Sequence, residues 1–174
     1  NFYAQNILYG IIYSYAAGTE SDGVTPVWKD LLTSYNGTAI TYDEIGNPLN
    51  WPGIANLSWS NGRRLTGMRK GISSITYTYD ESGLRTKKQV NSTETVYDRD
   101  ASGNLVHETR NNGTNHLYYY YDANGSIGSI SYNGTRYAFL KNLQGDVIAI
   151  LDTNSNVVAR YTYDAWGNIL SITD

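Results

Sequence analysis

YYYYDANG, residues 118 to 125, sets four tyrosines directly before an Asp-Ala-Asn-Gly break. Aromatic residues favour a strand. In the break, the Asp122 carboxylate can accept backbone N–H groups and Gly125 can take the left-handed conformation that closes a turn. The same grammar returns as Thr78-Tyr79-Asp80-Glu81-Ser82-Gly83 and as Thr162-Tyr163-Asp164-Ala165-Trp166-Gly167, with the aspartates 42 residues apart in both steps. An earlier copy, Tyr42-Asp43-Glu44-Ile45-Gly46, precedes the Asp80 copy by 37 residues. Weaker copies end at Gly103 and Gly145. Together Gly83, Gly103, Gly125, Gly145 and Gly167 fall at intervals of 20, 22, 20 and 22 residues, so the basic unit is about 21 residues long.

A second set of turn signals falls midway between these. Asn36-Gly37, Asn61-Gly62, Asn112-Gly113 and Asn133-Gly134 are pairs suited to tight hairpins. Asn91-Ser92 and Asn154-Ser155-Asn156 occupy similar slots. The segments between turns, at 75–79, 117–121, 135–140, 147–151 and 157–163, are rich in β-branched and aromatic residues. In 74–79, Ile75, Tyr77 and Tyr79 alternate with Ser74, Thr76 and Thr78, which sends the larger residues to one face. Tyr119 with Tyr121 and Tyr161 with Tyr163 keep that register. The expectation is an all-β protein of antiparallel β-hairpin repeats, with tyrosines stacked between neighbouring strands. Tyr118 and Tyr120 stand where Thr78 and Thr162 serve elsewhere. They are the tyrosines better placed to meet another layer or a ligand.

Composition narrows the function. The chain has 174 residues, 17 Gly, 17 Tyr, one Met and no Cys, and a formal charge of -3. Without a basic track there is no groove for a nucleic-acid backbone. The lack of cysteine removes disulfides and thiolate chemistry without fixing a compartment. No apolar run is long enough for a membrane-spanning helix. The chain opens on Asn1 in mid-pattern, so a fragment of a larger protein is expected.

Residues with catalytic chemistry are sparse. His107 and His116 are the two histidines, each near an expected turn and neither at metal-ligand spacing from another histidine. No Gly-x-Ser-x-Gly elbow is present. Asp152-Thr153-Asn154-Ser155-Asn156 has polar alternation, but Val157 and Tyr163 stand where a calcium loop needs Gly and Glu; it reads as a hairpin turn. Six Asn-x-Ser/Thr matches, at Asn36, Asn56, Asn91, Asn112, Asn124 and Asn133, are explained by turns entering strands. No enzyme, metal or cofactor is expected.

The repeated Tyr-Asp-x-x-Gly units, with Trp59-Ser60-Asn61-Gly62-Arg63-Arg64-Leu65 between copies, resemble the YD-repeat or RHS-repeat family, most closely bacterial wall-associated polymorphic toxin shell proteins. The resemblance runs from about Leu31 onward. It implies a strip of hairpins that coils into a hollow shell, and a structural segment of a secreted or cell-surface protein, associated with the bacterial cell wall, that helps enclose or present a toxin. Partners would be other repeats of the parent and an enclosed C-terminal toxin. The self-cleaving core segment of some members is not visible before Asp174, so no protease residues carry over.

The organisation expected is an irregular segment or partial repeat at 1–30, with a loop at 18–23 ahead of 24–28, followed by a repeat region at 31–174. Pro48 should interrupt the return strand after Gly46. The scaffold would rest on Tyr42, Tyr77, Tyr79, Tyr119, Tyr121, Tyr161 and Tyr163, on Asp43, Asp80, Asp122 and Asp164, and on the glycines Gly46, Gly83, Gly103, Gly125, Gly145 and Gly167. Three other readings stay open. One is a carbohydrate or cell-wall binding module using aromatic hairpins such as that of Tyr119 and Tyr121, with cell-surface glycans as partners. The second is a β-propeller. The third is an enzyme with a carboxylate beside His107 or His116.

Overall fold

The computed structural model describes residues 6–8, 11–16 and 30–174. The loop expected at 18–23 and the stretch at 24–28 lie outside the described residues. Residue contacts divide the chain into two compact units, Asn1–Thr78 and Tyr79–Asp174, a division that falls inside the expected 31–174 region.

The first unit contains two antiparallel sheets. One is ordered β1 (Asn6–Leu8), β2 (Ile11–Tyr15), β3 (Leu32–Tyr35) and β4 (Thr38–Ala39). The other runs β5 (Ile54–Ser60), β6 (Arg64–Lys70) and β7 (Ser73–Tyr79). Along β7, Ile75, Tyr77 and Tyr79 are half-buried while Ser74, Thr76 and Thr78 are exposed, the alternation that pleating imposes on that sequence. Between the two sheets in sequence, Pro48 makes only an isolated bridge to Tyr42. A residue without an N–H cannot extend a ladder.

The second unit is one antiparallel meander. Its strands are β8 (Arg85–Val90), β9 (Thr93–Arg99), β10 (Leu105–Arg110), β11 (Asn115–Tyr121), β12 (Ile127–Tyr132), β13 (Thr135–Lys141), β14 (Val147–Leu151), β15 (Val157–Tyr163) and β16 (Ile169–Thr173). Each pairs with the next. Nine strands in one continuous sheet are incompatible with separate four-stranded propeller blades. The segments expected at 147–151 and 157–163 match β14 and β15, and β11 and β13 extend the expected strands by one or two residues.

The two edges of this sheet use different turns. At one edge, β9–β10, β11–β12, β13–β14 and β15–β16 are joined by the Tyr-Asp-x-x-Gly type or its variants, and each of these junctions carries a register shift. The loop inserts one more residue on one strand than its partner can match, which is a β-bulge. At the other edge the β8–β9, β10–β11 and β12–β13 turns use left-handed asparagines, with Asn133 at φ 47° followed by Gly134 at 86° between β12 and β13, while β14–β15 is joined by the Asp152 loop. That pair of positive φ angles matches the strand twist in a two-residue hairpin.

Burial is shallow. Among the described residues only Ile40, Leu117 and Ala149 are buried apolar side chains. The two faces nevertheless differ. On β13, Tyr137 and Phe139 are half-buried while Arg136 and Ala138 are exposed; on β15, Ala159, Tyr161 and Tyr163 are half-buried while Arg160 and Thr162 are exposed.

Candidate functional site

The feature most often repeated is a five-residue turn. In the Asp164 copy, the Asp164 N–H donates to the Asn168 carbonyl at 2.9 Å and Gly167 N–H donates back to the Asp164 carbonyl at 3.1 Å. The side chain completes the closure: Oδ1 accepts the N–H groups of Trp166 and Asn168, each at 2.8 Å, and Oδ2 accepts the Asn168 amide at 2.7 Å. The same backbone pair and carboxylate contacts recur at Asp43, Asp100, Asp122 and Asp152, with Asn142 in the aspartate role at its own turn. At Asp80 the carboxylate accepts Leu84 N–H and the Ser82 hydroxyl. Gly46, Gly83, Gly103, Gly125, Gly145 and Gly167 occupy the fourth position with φ between 76° and 93°.

Two parts of this turn were not read from the sequence. The first is the fifth residue, whose amide locks the carboxylate when it is Asn, as at Asn47, Asn104, Asn156 and Asn168. The second is the Asp152 loop, which takes the same geometry at the opposite edge of the sheet with Ser155 at φ 66° in place of glycine. An Asp followed four residues later by Asn was the available signal.

These bonds hold the aspartates below the ordinary carboxylate pKa. The largest cause is the Asn amide at Asp100, Asp152 and Asp164, the Ser82 hydroxyl at Asp80, and the Ser126 N–H at Asp122. At Asp43 desolvation is the largest single effect and acts upward, but the combined bonds from Asn47 and its neighbours outweigh it. A carboxylate accepting several N–H groups is stabilised in its charged form.

The tyrosines act through their hydroxyls. Tyr121 Oη donates to the Leu105 carbonyl and Tyr163 Oη to the Val147 carbonyl, 2.9 and 2.7 Å away on the neighbouring strand; Tyr42 Oη donates to the Leu32 carbonyl at 2.6 Å. Across the strands Tyr119 faces Ile130 and Tyr161 faces Ile172. At those positions the row alternates tyrosine with isoleucine instead of stacking ring on ring. In the first unit Tyr13 and Tyr35, on paired strands, meet edge to face at 5.2 Å, and Tyr35 meets Trp51 at 5.3 Å. Tyr118 and Tyr120 emerge on the face opposite Tyr119. Tyr118 stacks on His107 at 4.2 Å, and the Arg136 guanidinium lies 4.2 Å from the centre of the Tyr120 ring.

Pairing between strands assembles two clusters. Glu108, only 6 % exposed, accepts from Tyr119 Oη and from Arg110 Nε, each at 2.6 Å. Burial, reinforced by Glu108, pushes the Tyr119 phenol far above its ordinary pKa. On the other face His107 Nδ1 is 2.8 Å from Asp98 Oδ2, and His107 Nε2 is 3.1 Å from His116 Nδ1. The histidines expected to stand apart near their turns are therefore joined, because β10 and β11 pair with His107 opposite Tyr118 and Thr109 opposite His116. Among the described residues no three His, Cys, Asp or Glu side chains gather as a metal site.

A continuous sheet of sequence-adjacent hairpins, closed at one edge by a recurrent Tyr-Asp-x-x-Gly turn, defines a structural YD-repeat protein. The chain belongs to the teneurin YD-shell family, whose model matches residues 60–173. No curated protein sequence matches it. Among solved structures, the crystal structure of TcdB2-TccC3-TEV shares the fold, with a TM-score of 0.51 and 18% identity, covering 93% of this chain and 10% of that one. A Photorhabdus luminescens Tc holotoxin pore with a TccC3 mutation gives 0.41 and 16%, covering 93% of this chain and 8% of that one. The chain thus spans about a tenth of the length of the structures it matches.

Proposed function

We propose that this chain is a non-enzymatic wall segment of a secreted or cell-surface shell that encloses or presents a toxin carried elsewhere in its parent protein. The observation that carries the reading is the half-buried face of the sheet. Tyr119, Ile130, Tyr137, Phe139, Tyr161 and Tyr163 are half-buried, while among the described residues only Ile40, Leu117 and Ala149 are buried apolar side chains. That half-buried face is surface that further wall would cover. Each hairpin closes with its own atoms and shares ladder bonds with the next, so length is gained without a central core. Other repeats of the parent and the enclosed polypeptide are the partners in this reading, and the bacterial cell wall is the location.

The test is limited proteolysis of the parent protein encoded by the complete reading frame. A segment outside the repeats should resist protease in the intact protein and become sensitive when Gly125→Val and Gly167→Val together disrupt two turns. A cargo segment cleaved equally in both proteins, or a reading frame without one, would overturn the enclosure.

A further inference from the structure

The turn edge of the second unit contains two clefts built at matching positions. One lies between the Asp80 and Asp100 turns, with a volume of about 510 Å³, and the other between the Asn142 and Asp164 turns, with a volume of about 660 Å³. Their linings correspond residue for residue: Tyr97 of the first becomes Tyr161 of the second, Arg99 becomes Tyr163, Ser102 becomes Trp166, and Leu84 becomes Asp146. The architecture is shared and the lining differs. The first cleft sets a cation, Arg99, among the carboxylates of Asp80, Asp98 and Asp100, and the Arg85 guanidinium lies 5.5 Å from the centre of the Tyr97 ring. In the second cleft Val147 takes the place of Arg85 and no Lys, Arg or His lines the space.

Three aromatic residues and two carboxylates therefore face a volume that holds no positive charge. Tyr161 and Tyr163 lie near-parallel with ring centres 6.5 Å apart, and Trp166 at the turn is 89 % exposed. Most polar atoms here are already engaged. Asn142 Oδ1 accepts two N–H groups while its Nδ2 donates to Asp146 Oδ2 at 2.9 Å. Both Asp164 oxygens serve the turn, Tyr163 Oη is bonded to Val147, and Thr162 Oγ1 is bonded to Ser171. Three ring faces and two carboxylates with no cation among them supply what a permethylated ammonium needs, negative potential and π-faces.

We propose that the cleft between the Asn142 and Asp164 turns binds the quaternary ammonium end of an organic cation. Trp166, Tyr161 and Tyr163 supply the ring faces, and Asp146 with Asp164 the charge. Cleft dimensions fall in the usual range for small-ligand sites. The proposal does not depend on enclosure of a toxin.

The test is calorimetric titration of the full chain with tetramethylammonium chloride, against sodium chloride at equal ionic strength and against glucose. Saturable binding specific to tetramethylammonium is expected. Trp166→Ala, which removes an exposed ring without opening a core, and Asp146→Asn should each weaken it by about fivefold or more. Tyr97→Leu, in the other cleft, should leave it unchanged. Absence of saturable binding, equal binding of glucose, or full affinity in Trp166→Ala would each overturn the proposal.

Discussion

The Tyr121 hydroxyl reaches across to the adjacent strand and donates to the Leu105 carbonyl, 2.9 Å away. The bond ties the end of β11 to the start of β10, beside the bulge that separates Leu105 from His107 in the β9–β10 pairing. Tyr121→Phe keeps the ring and removes only this bond. It should lower stability by about 0.5–1.5 kcal/mol, read from urea unfolding of the whole chain. An unchanged midpoint would mean that the ring alone holds the strand end.

The aspartate turns make stability depend on acid. Their folded carboxyl pKa values lie below the ordinary 3.8. A depressed folded pKa contributes stability that is fully present above the unfolded value and is lost as pH falls through the folded one. The chain should therefore weaken as pH drops below about 4. Asn142, which fills the same slot without a titrating group, supplies the control. Asp164→Asn should reduce the proton uptake on acid unfolding by up to about one proton, measured from the pH dependence of the denaturation midpoint.

The fourth turn position separates backbone strain from packing. Gly125 has φ 76°, and a Cβ added there would meet nothing within 4 Å. Gly125→Ala should cost about 1–2 kcal/mol through the left-handed conformation alone. Ser155 already carries that strain at φ 66°, so Ser155→Gly should stabilise the chain by about 0.5–1 kcal/mol. Thermal melts of the two variants should shift in opposite directions.

Glu108 joins β10 to β11 through the Tyr119 phenol and accepts from Arg110 on its own strand. Glu108→Ala strands both donors and should cost about 2–3 kcal/mol. Adding Tyr119→Phe should then cost less than it does alone, because its partner is gone. Additive losses in a double-mutant cycle would show that the two side chains do not cooperate.

The repeat, its strands and its turns were legible because each depends on residues close in sequence. Tyr163, Asp164 and Gly167 announce strand, turn and left-handed residue within five positions. The Glu108, Tyr119 and Arg110 cluster was not legible, nor was the link from Asp98 through His107 to His116. Both depend on cross-strand register, and a bulge at every Tyr-Asp edge junction of β9 to β16 shifts that register by one residue. A slip of one residue reverses which face a side chain occupies. Tyrosine next to isoleucine, where stacked tyrosines were expected, follows from the same cause: each Tyr-rich strand pairs with a return strand of different composition.

The Asp-x-x-Gly-Asn turn is closed by its own backbone and side-chain atoms. A copied hairpin consequently arrives with its corner already specified. Duplication in whole hairpins preserves both the edge a turn occupies and the face each side chain takes, whereas adding a single strand would reverse the direction of everything after it. Wall length is thus a quantity that recombination can change in steps, while the residues lining one cleft diverge from those of another.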